Sequence, residues 1–316
     1  MNVLIYGFGR MGLTHFSILK GLNTEINFTV IEPSKIIRIF LKSNLDIKIL
    51  KDDSSINDLQ DITIITTPPF IHERILDKCI IRGDKKVFVE KPFGGYTNIT
   101  EKYASNKNIY IGYVLRFNPC IQWVKKNINI PDVVSIKGEY LSNTIIKKPV
   151  GWRNGPYSGV LNEVGSHIID LIQYLLSSTS FVIDESYEKS VVSDIDDITE
   201  TKITFDKSKV VFLYFNWVKK EIRKPVFSLN IKMRNDVNFI VDQQQIKKFN
   251  KSGKLISTIS VADICEKVPF YLRGIDFTKQ MQDLLGDCNT LSTTKEAYFV
   301  NKIMNKIKLH ENNTRR

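Results

Sequence analysis

Through the first third of the chain, short apolar runs alternate with stretches of helical spacing. Val3 to Tyr6 reads as a strand, Leu13 to Leu19 as a helix and Asn27 to Ile31 as a second strand. Lys35 to Leu41 and Phe70 to Ile81 read as helices, the latter with Ile71, Ile75, Leu76, Cys79 and Ile80 on one side. Ile62 to Ile65, Val87 to Val89 and Ile109 to Val114 complete the strands. Strands that alternate with helices imply a parallel, doubly wound sheet. The pattern changes near Asn118, and longer β-type stretches follow at Val133–Tyr140, Ile198–Phe205, Val210–Trp217, Phe227–Met233 and Val237–Val241. Strands in succession favour an antiparallel sheet. One helix interrupts them, Val160 to Leu176, and two more are expected at Tyr271–Leu285 and Thr293–Lys308, before a polar tail from Glu311. The reading is an α/β domain over residues 1–117 and an α+β domain over residues 118–316, with no internal repeat.

The first strand breaks into Gly7-Phe8-Gly9-Arg10-Met11-Gly12, a G-x-G-x-x-G turn that opens the first helix. Each glycine has a physical task. Gly7 permits the tight turn, Gly9 lets a pyrophosphate approach the backbone, and Gly12 lets helix and strand pack closely. Free amides at the helix start favour negative charge. The second strand ends in Glu32, twenty residues after Gly12, where an acid holds an adenosine ribose. A bare glycine turn is the alternative; the strand, turn, helix and acid in sequence favour a dinucleotide. Glu32 repels a 2′-phosphate, while Lys35 and Arg38 soften that repulsion, so NAD is expected with NADP tolerated.

Composition alters this picture little. The hydrophobic share of 42% and charged share of 25% are ordinary for a globular chain. No apolar stretch approaches a membrane span, and the opening apolar run is too short for a secretory leader. Four scattered cysteines, with no metal spacing, suggest reduced thiols in a cytoplasmic protein. A net charge of +11 arises mostly from lysines among polar residues, without a nucleic-acid motif or aromatic interleaving. It fits an Ile-, Asn- and Lys-rich composition, and would still draw in an anionic substrate. Neither nucleic acid, membrane nor metal is expected as a partner.

Two constellations carry candidate chemistry. Glu90-Lys91-Pro92 follows the strand Val87–Val89, and ligands of doubly wound sheets sit at strand carboxyl ends. Lys91 there can hold a substrate hydroxyl or lower its pKa, though a Lys-Pro turn alone would look the same. The interrupting helix carries Glu163, His167 and Asp170 at i, i+4 and i+7, so they are expected to share one helix face. An isolated buried histidine is more often a satisfied core residue than a catalyst. Flanking carboxylates can orient an imidazole and raise its basicity, which makes His167 a candidate acid/base.

Taken in order, the motifs are Gly7–Gly12 with His15, Thr67-Pro68 before His72, Glu90-Lys91-Pro92, Gly112-Tyr113 with Arg116-Phe117-Asn118-Pro119, and Gly159–Asp170. Together they resemble the glucose–fructose oxidoreductase/inositol dehydrogenase family of NAD(P)-dependent enzymes over nearly the whole length. The resemblance implies a Rossmann domain followed by an α+β domain with an open, mainly antiparallel sheet, and hydride transfer at a sugar or cyclitol carbon. It assigns Lys91 and His167 to the reacting hydroxyl, and puts Glu163 where relatives often carry aspartate, a change that lengthens the reach. Cofactor contacts are implied at Gly7, Phe8, Gly9, Arg10, Met11, Gly12, Glu32, Thr67, Pro68, His72, Glu90 and Lys91. Tyr113, Arg116, Trp152, Arg153 and Asp170 are candidate substrate contacts, with core packing the alternative for Tyr113 and Trp152. His15 and His72 match family positions beside the cofactor, with a capping or packing role the alternative for each, and Val268–Gly274 resembles a stretch in sugar-processing relatives.

A sugar or sugar nucleotide is therefore the expected substrate, in a surface-carbohydrate pathway, with a homo-oligomer expected. A free polyol or inositol dehydrogenase is a second reading, and a dinucleotide-sensing regulatory protein a third, from outside enzymes. Retention of Lys91, His167 and their acids argues against a sensor. A glyceraldehyde-phosphate dehydrogenase is rejected, because Cys120 and Cys288 stand in the wrong contexts for its nucleophile.

Overall fold

The computed structural model describes residues 1–93, 99–155, 158–265, 267–269 and 272–314; the side chains of 99, 100, 152 and 311–314 lie outside the described set. The chain opens with β1 (Asn2–Tyr6), α1 (Arg10–Leu22), β2 (Asn27–Ile31), α2 (Lys35–Asn44), β3 (Lys48–Leu50) and β4 (Ile62–Ile65). It continues through α3 (His72–Arg82), β5 (Lys86–Val89), α4 (Ile99–Tyr103) and β6 (Ile109–Ile111). Then come α5 (Pro119–Asn127), β7 (Val133–Leu141), α6 (Ser166–Leu176), β8 (Phe181–Lys189), β9 (Ile198–Phe205) and β10 (Lys209–Asn216). The later elements are β11 (Val226–Met233), β12 (Asn238–Asp242), β13 (Gln245–Phe249), β14 (Leu255–Ser260), α7 (Val261–Ile264), α8 (Ile275–Leu285), β15 (Ser292–Thr293) and α9 (Thr294–Thr314).

These elements form two compact units, Met1–Val114 with Val268–Tyr298, and Leu115–Lys267 with Phe299–Arg316. The first unit is a seven-stranded sheet in the order β15-β6-β5-β4-β1-β2-β3. All its pairs are parallel except β15 on β6. Val3, Leu4 and Ile5 of β1 and Ile62, Ile64 and Ile65 of β4 are buried, as strands covered on both faces require. Helix ends follow local chemistry. Ser34 accepts from the Ile37 amide at the start of α2, and Gly83, at φ 81°, closes α3.

The expected division near residue 118 lies close to the boundary at Val114, but residues 268–298 return to the first unit. There Ser292 pairs with Ile111, and Lys86 Nζ donates to the carbonyls of Leu284 and Gly286. A two-residue strand leaves no periodic signal, which is why the pattern of the sequence did not reveal this return.

The second unit is an eight-stranded sheet in the order β14-β13-β12-β11-β7-β10-β9-β8. Only β10 and β7 run parallel, Val210 opposite Ser135 through Asn216 opposite Leu141. Alternating burial along β9 and β10 places Ile203, Phe205, Val211, Leu213 and Phe215 in the core. The five strands expected here are present, and β8, β13 and β14 are additional. Asn118 caps α5, accepting from the Cys120 and Ile121 amides, with Pro119 in the first turn.

The helix expected from Val160 to Leu176 is not regular. Leu161–Gly165 is a π-helical turn in which the Ser166 amide donates to the Leu161 carbonyl, and α6 follows. A π-turn inserts an extra residue per turn, so the i, i+4, i+7 stripe drawn for a plain α-helix does not hold across Glu163.

Candidate functional site

In the first unit the glycine turn has the geometry its sequence demands. Gly7 sits at φ 82°, a left-handed conformation that favours glycine. A Cβ on Gly12 would collide with the Gly7 carbonyl oxygen and lie 2.9 Å from Thr66 Oγ1. A Cβ on Gly9 would meet nothing within 4 Å, so the backbone at the start of α1 faces open space. That space and the unsatisfied amides of the thirteen-residue α1 fit a pyrophosphate.

Other residues set the turn. Phe8 buries its ring edge-on against Phe16, and its amide donates to Glu32 Oε2 at 2.9 Å. Glu32 Oε1 accepts from the Ser34 amide at 2.8 Å, so the acid expected to hold a ribose also braces the glycine turn. A carboxylate has acceptor capacity beyond these two bonds. Arg38 donates to the carbonyls of Glu32 and Pro33, on the same strand end. Thr66 donates to the Gly7 carbonyl at 2.8 Å, a role not anticipated from the sequence. Arg10 is exposed, and Arg273 places its guanidinium over the Phe277 ring and 3.1 Å from Met11 Sδ. Partial burial and the nearby Arg10 charge lower the Arg273 pKa. Two guanidiniums near this turn favour an anion.

The strand ends of β4 and β5 carry the remaining candidates of this unit. The buried Oγ1 of Thr67 has no partner among the described residues. His72, expected to touch the cofactor, is fully buried and bonds the Thr67 carbonyl through Nε2 at 2.8 Å. Burial pushes its pKa down to about 4. It is therefore a neutral ring that fixes the Thr67-Pro68 backbone. Glu90 bonds the buried His15 at 2.7 Å, and Lys91, partly exposed, begins a cis Lys91–Pro92 peptide. Tyr113 is 1% exposed, which makes its ring part of the core.

In the second unit, two expected substrate contacts meet each other. Arg116 donates to both carboxylate oxygens of Asp170, Nε to Oδ2 at 2.7 Å and Nη2 to Oδ1 at 2.6 Å. Both side chains are buried, and the guanidinium also lies 4.8 Å from the Tyr174 ring centre. Arg116 and Asp170, both expected at the substrate, thus form a buried ion pair with each other. Arg153 is exposed on the short turn Gly151–Asn154. The side chain of Trp152 lies outside the described residues, as do Phe270 and Tyr271 of the Val268–Gly274 stretch.

Residues 158–173 are all described, and within them only Glu163 and Val164 are not buried. His167, at 9% exposure, is at the threshold of that opening. Ser158 donates its hydroxyl to Glu163 Oε1 in a short hydrogen bond, another contact the sequence did not reveal. Ser158 has no diagnostic spacing; only its place just before Gly159 and the helix start hinted at it. A partly exposed carboxylate and, four positions on, a nearly buried imidazole on a mostly apolar helix are groups suited to proton transfer to a bound hydroxyl. Among the described residues no group of three His, Cys, Asp or Glu side chains could hold a metal ion. The four cysteines form no disulfide among the described residues, and no described helix is long and apolar enough to cross a membrane.

Comparison with known proteins shows which solved structures share this fold. No family model matches the chain. A levoglucosan dehydrogenase of Pseudarthrobacter phenanthrenivorans is 28% identical over 156 residues, 45% of this chain and 39% of that relative. The matched stretch thus spans less than half of the curated relative. Among solved structures, an oxidoreductase domain protein from Kribbella flavida superposes with a TM-score of 0.82 at 16% identity, covering 99% of this chain and 97% of that one. Levoglucosan dehydrogenase, solved with NADH and levoglucosan, gives 0.81 at 18% identity with the same coverage. UDP-N-acetylglucosamine 3-dehydrogenase from Acidithiobacillus ferrooxidans gives 0.77 at 15% identity over 99% of this chain and 98% of that one. The chain therefore has the two-domain fold of these dehydrogenases, a parallel Rossmann sheet and a mainly antiparallel second sheet, as the resemblance in its sequence implied.

Proposed function

We propose that this chain is an NAD(P)-dependent oxidoreductase acting on a carbinol or keto carbon of a sugar. The observation that carries the reading is the exposure at Glu163 and Val164, close in sequence to His167, on a segment otherwise buried from residue 158 to 173, in a chain whose first unit has the glycine turn of a dinucleotide cradle. Gly7, Phe8, Gly9, Arg10, Met11 and Gly12 would hold the pyrophosphate, Glu32 the adenosine ribose, and Thr67, Pro68, Glu90 and Lys91 the nicotinamide half. The nicotinamide, when bound, takes up or returns the hydride. Lys91 holds the reacting hydroxyl and favours its ionised form, and His167 takes the hydroxyl proton as general base. Glu163, fixed by Ser158, orients His167 and stabilises its charged form. His15 and His72 act at one remove, by holding Glu90 and the Thr67 carbonyl.

A sugar nucleotide is the substrate favoured within this reading. One relative of the same fold is named for a UDP-sugar, and Arg153 stands exposed just before the helix. Arg153 and Trp152 are the residues proposed to meet a diphosphate and a base. A free sugar is the alternative, as in the relative solved with levoglucosan. Free thiols favour a cytoplasmic setting, and the open sheet face, with Phe212 and Val182 exposed, favours self-association.

The test is a mass-spectrometric screen of sugars and sugar nucleotides with NAD, reading the loss or gain of two hydrogens. His167→Ala should then lose roughly two to four orders of magnitude in kcat with NAD affinity unchanged. A variant that keeps normal turnover removes His167 from the mechanism. Binding of dinucleotide without turnover of any sugar would favour a sensor.

A further inference from the structure

The start of the Glu163–His167 helix is held by a charge that a proton relay does not call for. Asp196 is buried, at 6% exposure, and reaches the helix from the segment before β9. Its backbone carbonyl accepts from the Val160 amide at 2.8 Å, and its Oδ2 from the Leu161 amide at 2.7 Å. Thr199 Oγ1 approaches the same oxygen at 3.4 Å, and Lys308 Nζ of α9 lies 3.2 Å from Oδ1. One residue thus takes two of the orphan amides at the helix start, and α9 supplies the counter-charge.

The carboxylate is seated directly on Gly159. That glycine is at φ 107°, and a Cβ on it would fall against Asp196 Oδ1 and 2.7 Å from Cγ. The Gly159 carbonyl accepts from the Glu163 amide at 2.9 Å, and neighbouring Ser158 holds the Glu163 carboxylate. Contacts therefore run from Lys308 to Asp196 and from Asp196 to Gly159, Val160 and Leu161, while Gly159 and its neighbour Ser158 hold the two ends of Glu163. Burial pushes the Asp196 carboxyl up to about 7, and the Leu161 amide opposes the rise. Such a group is retained only where it is held on several sides.

We propose that Asp196 is a positioning residue for Glu163 and His167, braced by Lys308 from the C-terminal helix. The proposal rests on the reading of Glu163 and His167 given above. It also explains how a π-turn, which a regular helix would eliminate, is kept at this place. With the brace gone the turn relaxes, and a displacement on the order of 1 Å at a catalytic group costs about 100-fold in rate.

The experiment pairs Asp196→Ala, Gly159→Ala and Lys308→Met with the conservative Asp196→Asn and Lys308→Arg in the full chain. Hydrogen exchange of residues 158–167 is followed by mass spectrometry, alongside kcat, KM and NAD affinity. Asp196→Ala and Gly159→Ala should speed exchange in that segment at least tenfold and lower kcat by roughly 10- to 100-fold. NAD affinity and exchange in β9 and β10 should stay as in the wild type. Lys308→Met should move in the same direction, while Lys308→Arg and Asp196→Asn retain most of both. Unchanged exchange in the three disruptive variants overturns the brace. Faster exchange with unchanged kcat overturns the positioning role. If Asp196→Ala does not fold, Gly159→Ala and Lys308→Met decide the matter. If the wild type turns over no sugar, the functional reading fails by itself, and exchange still decides whether the brace fixes the helix start.

Discussion

Two alanine substitutions in the glycine turn separate its architectural glycine from the one proposed to face the cofactor. In Gly12→Ala the new methyl carbon meets the Gly7 carbonyl, with Thr66 Oγ1 at 2.9 Å and the Gly7 carbonyl carbon at 3.2 Å. Two of these neighbours are backbone, so the end of α1 must move off β1. Overpacking of this kind costs about 1–3 kcal/mol. Gly9→Ala has the opposite signature. Gly9 is at φ −71° with nothing within 4 Å of the new carbon, a conformation that alanine adopts without strain. Lower chain entropy in the unfolded state should then stabilise it by roughly 0.4–1 kcal/mol. The same methyl enters the space proposed for the pyrophosphate. If the clash there costs about 1–3 kcal/mol, Kd for NADH rises roughly 5- to 150-fold. Thermal unfolding and fluorescence titration with NADH read the two quantities in one sample. The expected result is a lower Tm with weak binding for Gly12→Ala, and an equal or higher Tm with weak binding for Gly9→Ala. Wild-type NADH affinity in Gly9→Ala would refute the assignment of the turn to a dinucleotide.

Arg116→Ala should destabilise the protein by about 3–5 kcal/mol in denaturant titration, since it strands the buried Asp170 carboxylate; a loss below 1 kcal/mol would return Arg116 to the list of substrate contacts. His72 titrates near 4 in the folded protein against 6.5 for a free histidine, so its stabilising contribution is complete above 6.5 and is lost as pH falls toward 4. From pH 7 to pH 5 that loss is about 2 kcal/mol, and it should vanish from the pH dependence of unfolding in His72→Gln, which keeps a donor for the Thr67 carbonyl. Glu32→Ala should weaken NAD roughly tenfold and erase its advantage over NADP; wild-type protein that binds NADP more tightly would show that Arg38 outweighs Glu32.

Local requirements were readable in the sequence, and long-range ones were not. Gly7 answers to its own φ of 82°, Gly9 to open space and Gly12 to the Gly7 carbonyl five positions before it, and their spacing states that directly. The alternation along Ile198–Phe205 likewise reports one buried face. Arg116 and Asp170 are 54 positions apart, and no spacing rule joins them. Periodicity could not expose the π-turn, because Val160, Leu161, Ile168 and Ile169 are apolar all round the helix and an inserted residue leaves that pattern intact. Strands β8 and β14 lie at the edges of their sheet, where Asp184, Glu185 and Glu188 or a run of exposed residues imitate a loop.

The return of residues 268–298 to the first unit sets an order of assembly during synthesis. Translation delivers β1 to β6 first, yet β15, which covers the outer edge of β6, emerges only after every strand of the second sheet. Until then the nascent first sheet presents Ile109, Tyr110 and Ile111 with unpaired backbone groups, the kind of edge on which growing chains associate. A ribosome stalled or a chain cut near Lys267 would release a fully translated second sheet beside an unfinished first one. The strand that covers the edge of the first sheet is thus the last part of that sheet to be made, and loss of the late residues strikes the part of the molecule that was made earliest.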